Sequence, residues 1–145
     1  MNRVVIALLV FFSIGSSVAA EMHMHHGGAM SDERISLGLP PPMKQHQMSN
    51  MRSHLEAVRS IVALIAANDF EKASGIAHTQ LGLTEEMRKM CEMFDNKKFQ
   101  ELGLAFHKSG DELGDVLLKK NAAKSLEALS RTMGYCVECH ALFRQ

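Results

Sequence analysis

From Met43 to the C-terminus the apolar residues recur every three or four positions, and no stretch shows the two-residue alternation of a strand. A chain with that period can bury its apolar face only as amphipathic helices. In the first segment Met48, Met51, Leu55, Val58, Val62 and Ile65 step by threes and fours, with polar residues between them. The run stops at "AAND", where Asn68 or Asp69 can cap the next helix. A second segment carries Phe70, Ala73, Ile76 and Ala77, weakens at Gly82, and restarts near Thr84 towards Met87, Met90 and Phe94. A kink or short break is expected at Gly82. "FDNKK" is a turn capped by Asp95 or Asn96. The third segment holds Phe99, Leu102, Phe106, Leu113, Val116 and Leu117. Its Gly103, Gly110 and Gly114 make room either for something bulky or for ordinary close helix packing. The last segment starts near Asn121 and runs Ala122, Leu126, Leu129, Met133, Cys136, His140, Phe143. The expected fold is all-α, an antiparallel up-down-up-down four-helix bundle over residues 43–145.

The residues before Met43 read differently. Met1-Asn2-Arg3 precedes the apolar run "VVIALLVFFSIG", and "SSVAA" offers small residues for cleavage after Ala20. That pattern is a secretory signal peptide over 1–20. The alternative, an uncleaved anchor, needs about 20 apolar residues, and this run is shorter. Residues 21–42, "EMHMHHGGAMSDERISLGLPPP", have no sustained period and read as a flexible His/Met-rich arm. The expected mature chain is soluble, exported and about 125 residues long, with no membrane span after cleavage.

Charge excludes rather than selects. The chain carries 16 Lys+Arg against 16 Asp+Glu, and loss of Arg3 with the leader leaves 15 against 16. There is no basic surplus for nucleic acid. No acid, base and nucleophile constellation is visible, so an enzyme is not expected.

The chemistry sits in the last helix, in "CVECH". Export places its thiols in an oxidising compartment, where Cys136 and Cys139 must be protected, paired or used. Cys91, alone in "RKMCEMF", reads as a small, partly buried helical residue. A structural zinc site wants four Cys or His ligands in two pairs, and no second pair matches this one. A thioredoxin-like redox pair belongs at a helix N-terminus in a βαβ setting, whereas this one ends a helix, where the dipole disfavours a thiolate. C-x-x-C-H is also the attachment signature of covalent haem. Residues i and i+3 share one side of a helix, so two thiols there suit the two vinyl groups on one porphyrin edge, and the following imidazole suits the iron.

"CVECHALFR" resembles the C-terminal CxxCHxxF/YR of the cytochrome c′ family, including its low-spin cytochrome c556-like members. The resemblance covers about Met43 to Gln145 in architecture and the last nine or so residues as a motif. It implies a four-helix bundle with one haem c, Cys136 and Cys139 as thioether links, His140 as axial ligand and Arg144 beside the proximal face. It also implies a bacterial periplasm and redox partner proteins, and members of the family often form homodimers through their first helices. The sixth iron position decides the function. An apolar residue there leaves iron open to NO and CO, while a methionine gives a His/Met centre for one-electron transfer. In the family that residue comes from the first helix, at a position close to Met51 here, with Met48 one turn away. His54, on the flank of the same helix, and His107, in "LGLAFHKSGDEL", are competing ligands. Core filling is the ordinary use of methionine, and this chain has 11. Lastly, cleavage after Ala20 would leave Glu21-Met22-His23, whose amine and histidine suit a square of nitrogens around Cu(II), with Met24, His25 and His26 as further donors. The alternative is a polar tip that binds nothing.

Overall fold

Each helix after the first starts where a short polar side chain takes up an orphan amide, as the sequence requires. The computed structural model describes residues 31–145. The leader and the arm as far as Met30, with His23, Met24, His25 and His26, lie outside the described residues. Glu33–Gln145 forms one compact unit.

Helix α1 (Pro41–Ala66) begins before Met43, with Pro41 and Pro42 in its first turn. A proline costs nothing there, because the amide it lacks would have no helical partner. Asn68 takes a left-handed conformation (φ 58°) and ends α1, leaving the capping to Asp69. Helix α2 (Phe70–Ile76) comes next and widens into a π-turn over Ala77–Leu81. The expected break falls at Gly82. Thr84 then accepts from the Met87 amide at 3.1 Å and starts α3 (Glu85–Glu92). Asn96 caps α4 (Lys97–Leu117) and Asn121 caps α5 (Ala122–Leu142), each at 3.0 Å. The described chain is mostly helical, as expected of an all-α protein.

One element was not foreseen. Ile35–Ser36 (β1) pairs in parallel with Phe143–Arg144 (β2), Ile35 opposite Phe143. Two residues are too few to carry a period, so no sequence pattern announced them. The segment just before α1 is therefore tied to the C-terminus rather than being wholly arm.

The glycines divide. A Cβ on Gly110 would stand 2.5 Å from the Leu81 carbonyl oxygen, and one on Gly114 would overlap the His78 ring. Both serve close packing of α4 on the π-turn. Gly103 instead faces Cys91, where a Cβ would lie 2.9 Å from the sulfur.

The core also differs from the expected stripes. Helix α1 buries Ala57, Ile61 and Ile65, and α5 buries Ser125, Ala128, Leu129 and Thr132. Met48, Val62 and Leu126, expected inside, are exposed. Small residues let the helices approach, and a count of large apolar residues misses them. Two apolar clusters result. The larger joins α1, α2, α4 and α5 around Ile61, Leu81, Leu113 and Leu117. The smaller joins Phe94, Phe99, Leu102 and Phe143, with Leu37, Leu39, Tyr135 and Cys139 against it. Among the described residues no helix is long and apolar enough to cross a membrane.

Candidate functional site

Apolar side chains that the expected stripes placed in the core line a cavity instead. Leu55 is 68% exposed and Met133 42%, yet both face a pocket of about 370 Å³ shared by α1, α3, α4 and α5. That volume lies in the range of small-molecule and cofactor sites. Met51 and Val58 join Leu55 from α1, and Phe94, Phe99 and Phe106 add aromatic surface. Members of both apolar clusters border it.

Helix α5 delivers Cys136, Cys139 and His140 to this cavity, and α1 delivers Met51. All four residues come from the sequence reading. The two cysteines are half-buried, one helical turn apart, and both are free. Burial pushes both thiols up, Cys139 to about 11 with help from the neighbouring Cys136 and Glu138. His140 is exposed but lines the cavity. Its ring makes no hydrogen bond among the described residues. Glu138, inside the motif, pairs with Lys98 of α4 at 3.0 Å.

The two competing histidines are here as well. His107 is 5% exposed, and its Nδ1–H donates to the Leu81 carbonyl at 2.8 Å. Burial lowers its pKa against the opposing pull of the Leu81 and Gly82 carbonyls and of Asp111. Its ring meets that of His54 edge to face, centroids 5.4 Å apart. His54 is held near pKa 4, first by burial and then by His107. Burial in the cavity thus disfavours the charged form of both imidazoles.

Other candidates are placed elsewhere. Met48 does not line the cavity. Neither does Arg144, whose Nε donates to the Arg34 carbonyl at 3.2 Å. Of the remaining described histidines, His46 bonds Asn50 at 3.3 Å, and His78 pairs with Asp111 at 3.1 Å. Among the described residues no group of three or more His, Cys, Asp or Glu is arranged to hold a metal ion by itself.

Sequence reasoning passed over Arg52. It is the one Lys or Arg lining the cavity among the described residues, and it makes no hydrogen bond or ion pair among them. Its place next to Met51 was the available signal. Arg34 was also missed, and its Nη1 donates to the His140 carbonyl at 3.2 Å.

Comparison with protein-family models, with curated proteins and with solved structures finds no match for the chain.

Proposed function

We propose that this chain is a periplasmic monohaem c-type cytochrome that transfers single electrons, its helices arranged as an antiparallel four-helix bundle. One observation carries the reading: the CxxCH of α5 and Met51 of α1 converge on a single apolar cavity. The donor set fits the group. Cys136 and Cys139 are protonated thiols on one side of a helix, suited to adding across two vinyl groups, each S–H becoming an S–C and a C–H bond. His140 would supply an imidazole to iron and Met51 a thioether, a pair that favours the reduced state. Leu55, Val58 and Phe106 would exclude water, which keeps the reorganisation of charge small. Arg52 would meet a carboxylate at the rim. Bound there, haem would supply the iron that accepts and returns one electron. The partners are then redox proteins, and neither nucleic acid nor membrane is needed.

The same apolar wall supports a second reading, in which His140 alone would hold the iron and NO or CO would bind to it. A periplasmic copper protein using His23, His25 and His26 is a third, and its residues lie outside those described.

The deciding experiment is expression of the full chain with a haem-attachment machinery, then intact mass and visible spectra of both oxidation states. One covalent haem with sharp, split low-spin bands is the expected result. Broad high-spin bands would move the assignment to the gas-binding reading. An exported protein without covalent haem would end both.

A further inference from the structure

The last carbonyls of a helix have no partner within it. At the end of α5 this concerns Cys139, His140, Ala141 and Leu142. The Cys139 carbonyl is taken by the Phe143 amide. The His140 carbonyl is taken by the Arg34 guanidinium, 106 residues away in sequence. The contact is reciprocated at the second strand, where Arg144 Nε donates to the Arg34 carbonyl at 3.2 Å. Between these two bonds run the paired strands, and the Leu37 amide donates to the Arg144 carbonyl at 3.1 Å. Below them Phe143 is buried against Phe99, ring centroids 5.3 Å apart, with Leu37, Leu39 and Cys139 on the same cluster.

Two physical effects concentrate on His140. A guanidinium at a helix C-terminus meets the negative end of the dipole, so Arg34 is favoured there. Its bond to a carbonyl is charge-assisted and directional. A histidine that binds metal usually has its second ring nitrogen held by a carboxylate, carbonyl or water. The His140 ring has no such support among the described residues. Its backbone is the part of the residue that is held, and Arg34 holds it.

We propose that Arg34 is a positioning residue for the ligand-bearing end of α5, clasping the His140 backbone and thereby fixing where its imidazole points. The effect at iron rests on the function proposed above, but the clasp does not. It gives the segment before α1 a role in the site at the opposite end of the chain. It also separates the two arginines: Arg34 acts on His140 directly, and Arg144 acts by holding Arg34.

The test uses the full-length protein with its haem attached, as wild type, Arg34→Ala, Arg34→Lys and Leu37→Ala. Leu37→Ala loosens the same segment without touching His140. Arg34→Ala is expected to keep covalent haem, to shift the midpoint potential and to change the low-spin EPR signature. Arg34→Lys should restore most of both. Leu37→Ala should lower Tm with potential and EPR unchanged. The proposal falls if Arg34→Ala only lowers Tm, or if Leu37→Ala shifts the spectra equally. If the wild type carries no haem, the functional reading fails separately. The clasp is then read from the His140 ring resonances of the haem-free chain, which Arg34→Ala must move. Unmoved resonances overturn it.

Discussion

His54 of α1 and His107 of α4 stand edge to face at 5.4 Å inside an apolar cavity, where His107 opposes protonation of His54. In the haem-free chain, burial and His107 together disfavour the charged form of His54. An unfolded His54 takes up its proton near pH 6.5, the folded one only near pH 4. The unfolded state therefore binds more protons between those values, and stability falls as pH drops through that window. At about 1.4 kcal/mol per pKa unit, the loss from His54 is about 3 kcal/mol as a ceiling, less with partial solvent screening. His107 adds in the same direction. Urea unfolding of the haem-free chain from pH 4 to 7 should show the slope, and His54→Phe should flatten it. An unchanged slope in that variant would place the acid sensitivity elsewhere.

The α4 glycines should rank by what they face. Gly110→Ala drives a methyl to 2.5 Å from the Leu81 carbonyl oxygen, which belongs to backbone and cannot turn away. Overpacking of this kind costs about 1–3 kcal/mol, against about 1 kcal/mol gained in helix propensity. Gly114→Ala displaces the His78 ring and with it the 3.1 Å contact to Asp111, a smaller loss because a side chain can move. Gly103→Ala meets only the Cys91 sulfur at the cavity edge and should be close to neutral. Chemical denaturation midpoints give the order directly, and a Gly103 variant worse than Gly110 would break it.

The sequence stripe on α1 and α5 mixed two environments that composition does not separate. Ile65 and Leu129 do lie in the core. Met51, Leu55, Val58, Met133, Cys136 and His140 were on the same stripe but line the cavity. A helical period reports which face is turned from water, not whether protein or ligand covers it. The real helix contacts run through Ala57, Ser125 and Ala128, which carry little hydrophobic signal. The caps were legible because Asp69, Thr84 and Asn96 act within three residues. Arg34 on His140 was not, because nothing local links positions 106 apart.

The raised thiols argue against a redox role for Cys136 and Cys139. Moving Cys139 from 9 to about 11 leaves about a hundredfold less thiolate at neutral pH, and the thiolate is the nucleophile. Alkylation of the haem-free chain by iodoacetamide at about pH 7.5 should thus run at least about tenfold slower than that of an exposed cysteine peptide. Denaturant should remove the difference. Fast modification of the folded chain would revive the dithiol reading.

Met51 and Met48 are separated cleanly by the cavity. Met51 lines it, whereas Met48 is exposed outside it. If haem is held as proposed, Met51→Ala should abolish a methionine charge-transfer band and the low-spin spectrum, while Met48→Ala leaves both. A low-spin spectrum that survives Met51→Ala without that band would point to His107, whose donated Nδ1–H leaves Nε2 unprotonated. The double variant Met51→Ala/His107→Ala then decides.

Arg52 should tune the potential rather than the fold. It is exposed on α1 and has no partner among the described residues, so Arg52→Gln should leave Tm nearly unchanged. A haem held as proposed would bring two carboxylates, and a cation at the cavity rim would favour whichever iron state carries less positive charge. That is the reduced state, so removing the charge lowers the midpoint potential. Solvent screening limits the effect to about 1 kcal/mol or less, which is tens of millivolts for one electron. Arg52→Lys keeps the charge and should fall between. Redox titration at low and high salt checks the sign and the origin together: the gap between wild type and Arg52→Gln should narrow as salt rises. A potential raised by Arg52→Gln, or a gap indifferent to salt, would remove Arg52 from the site.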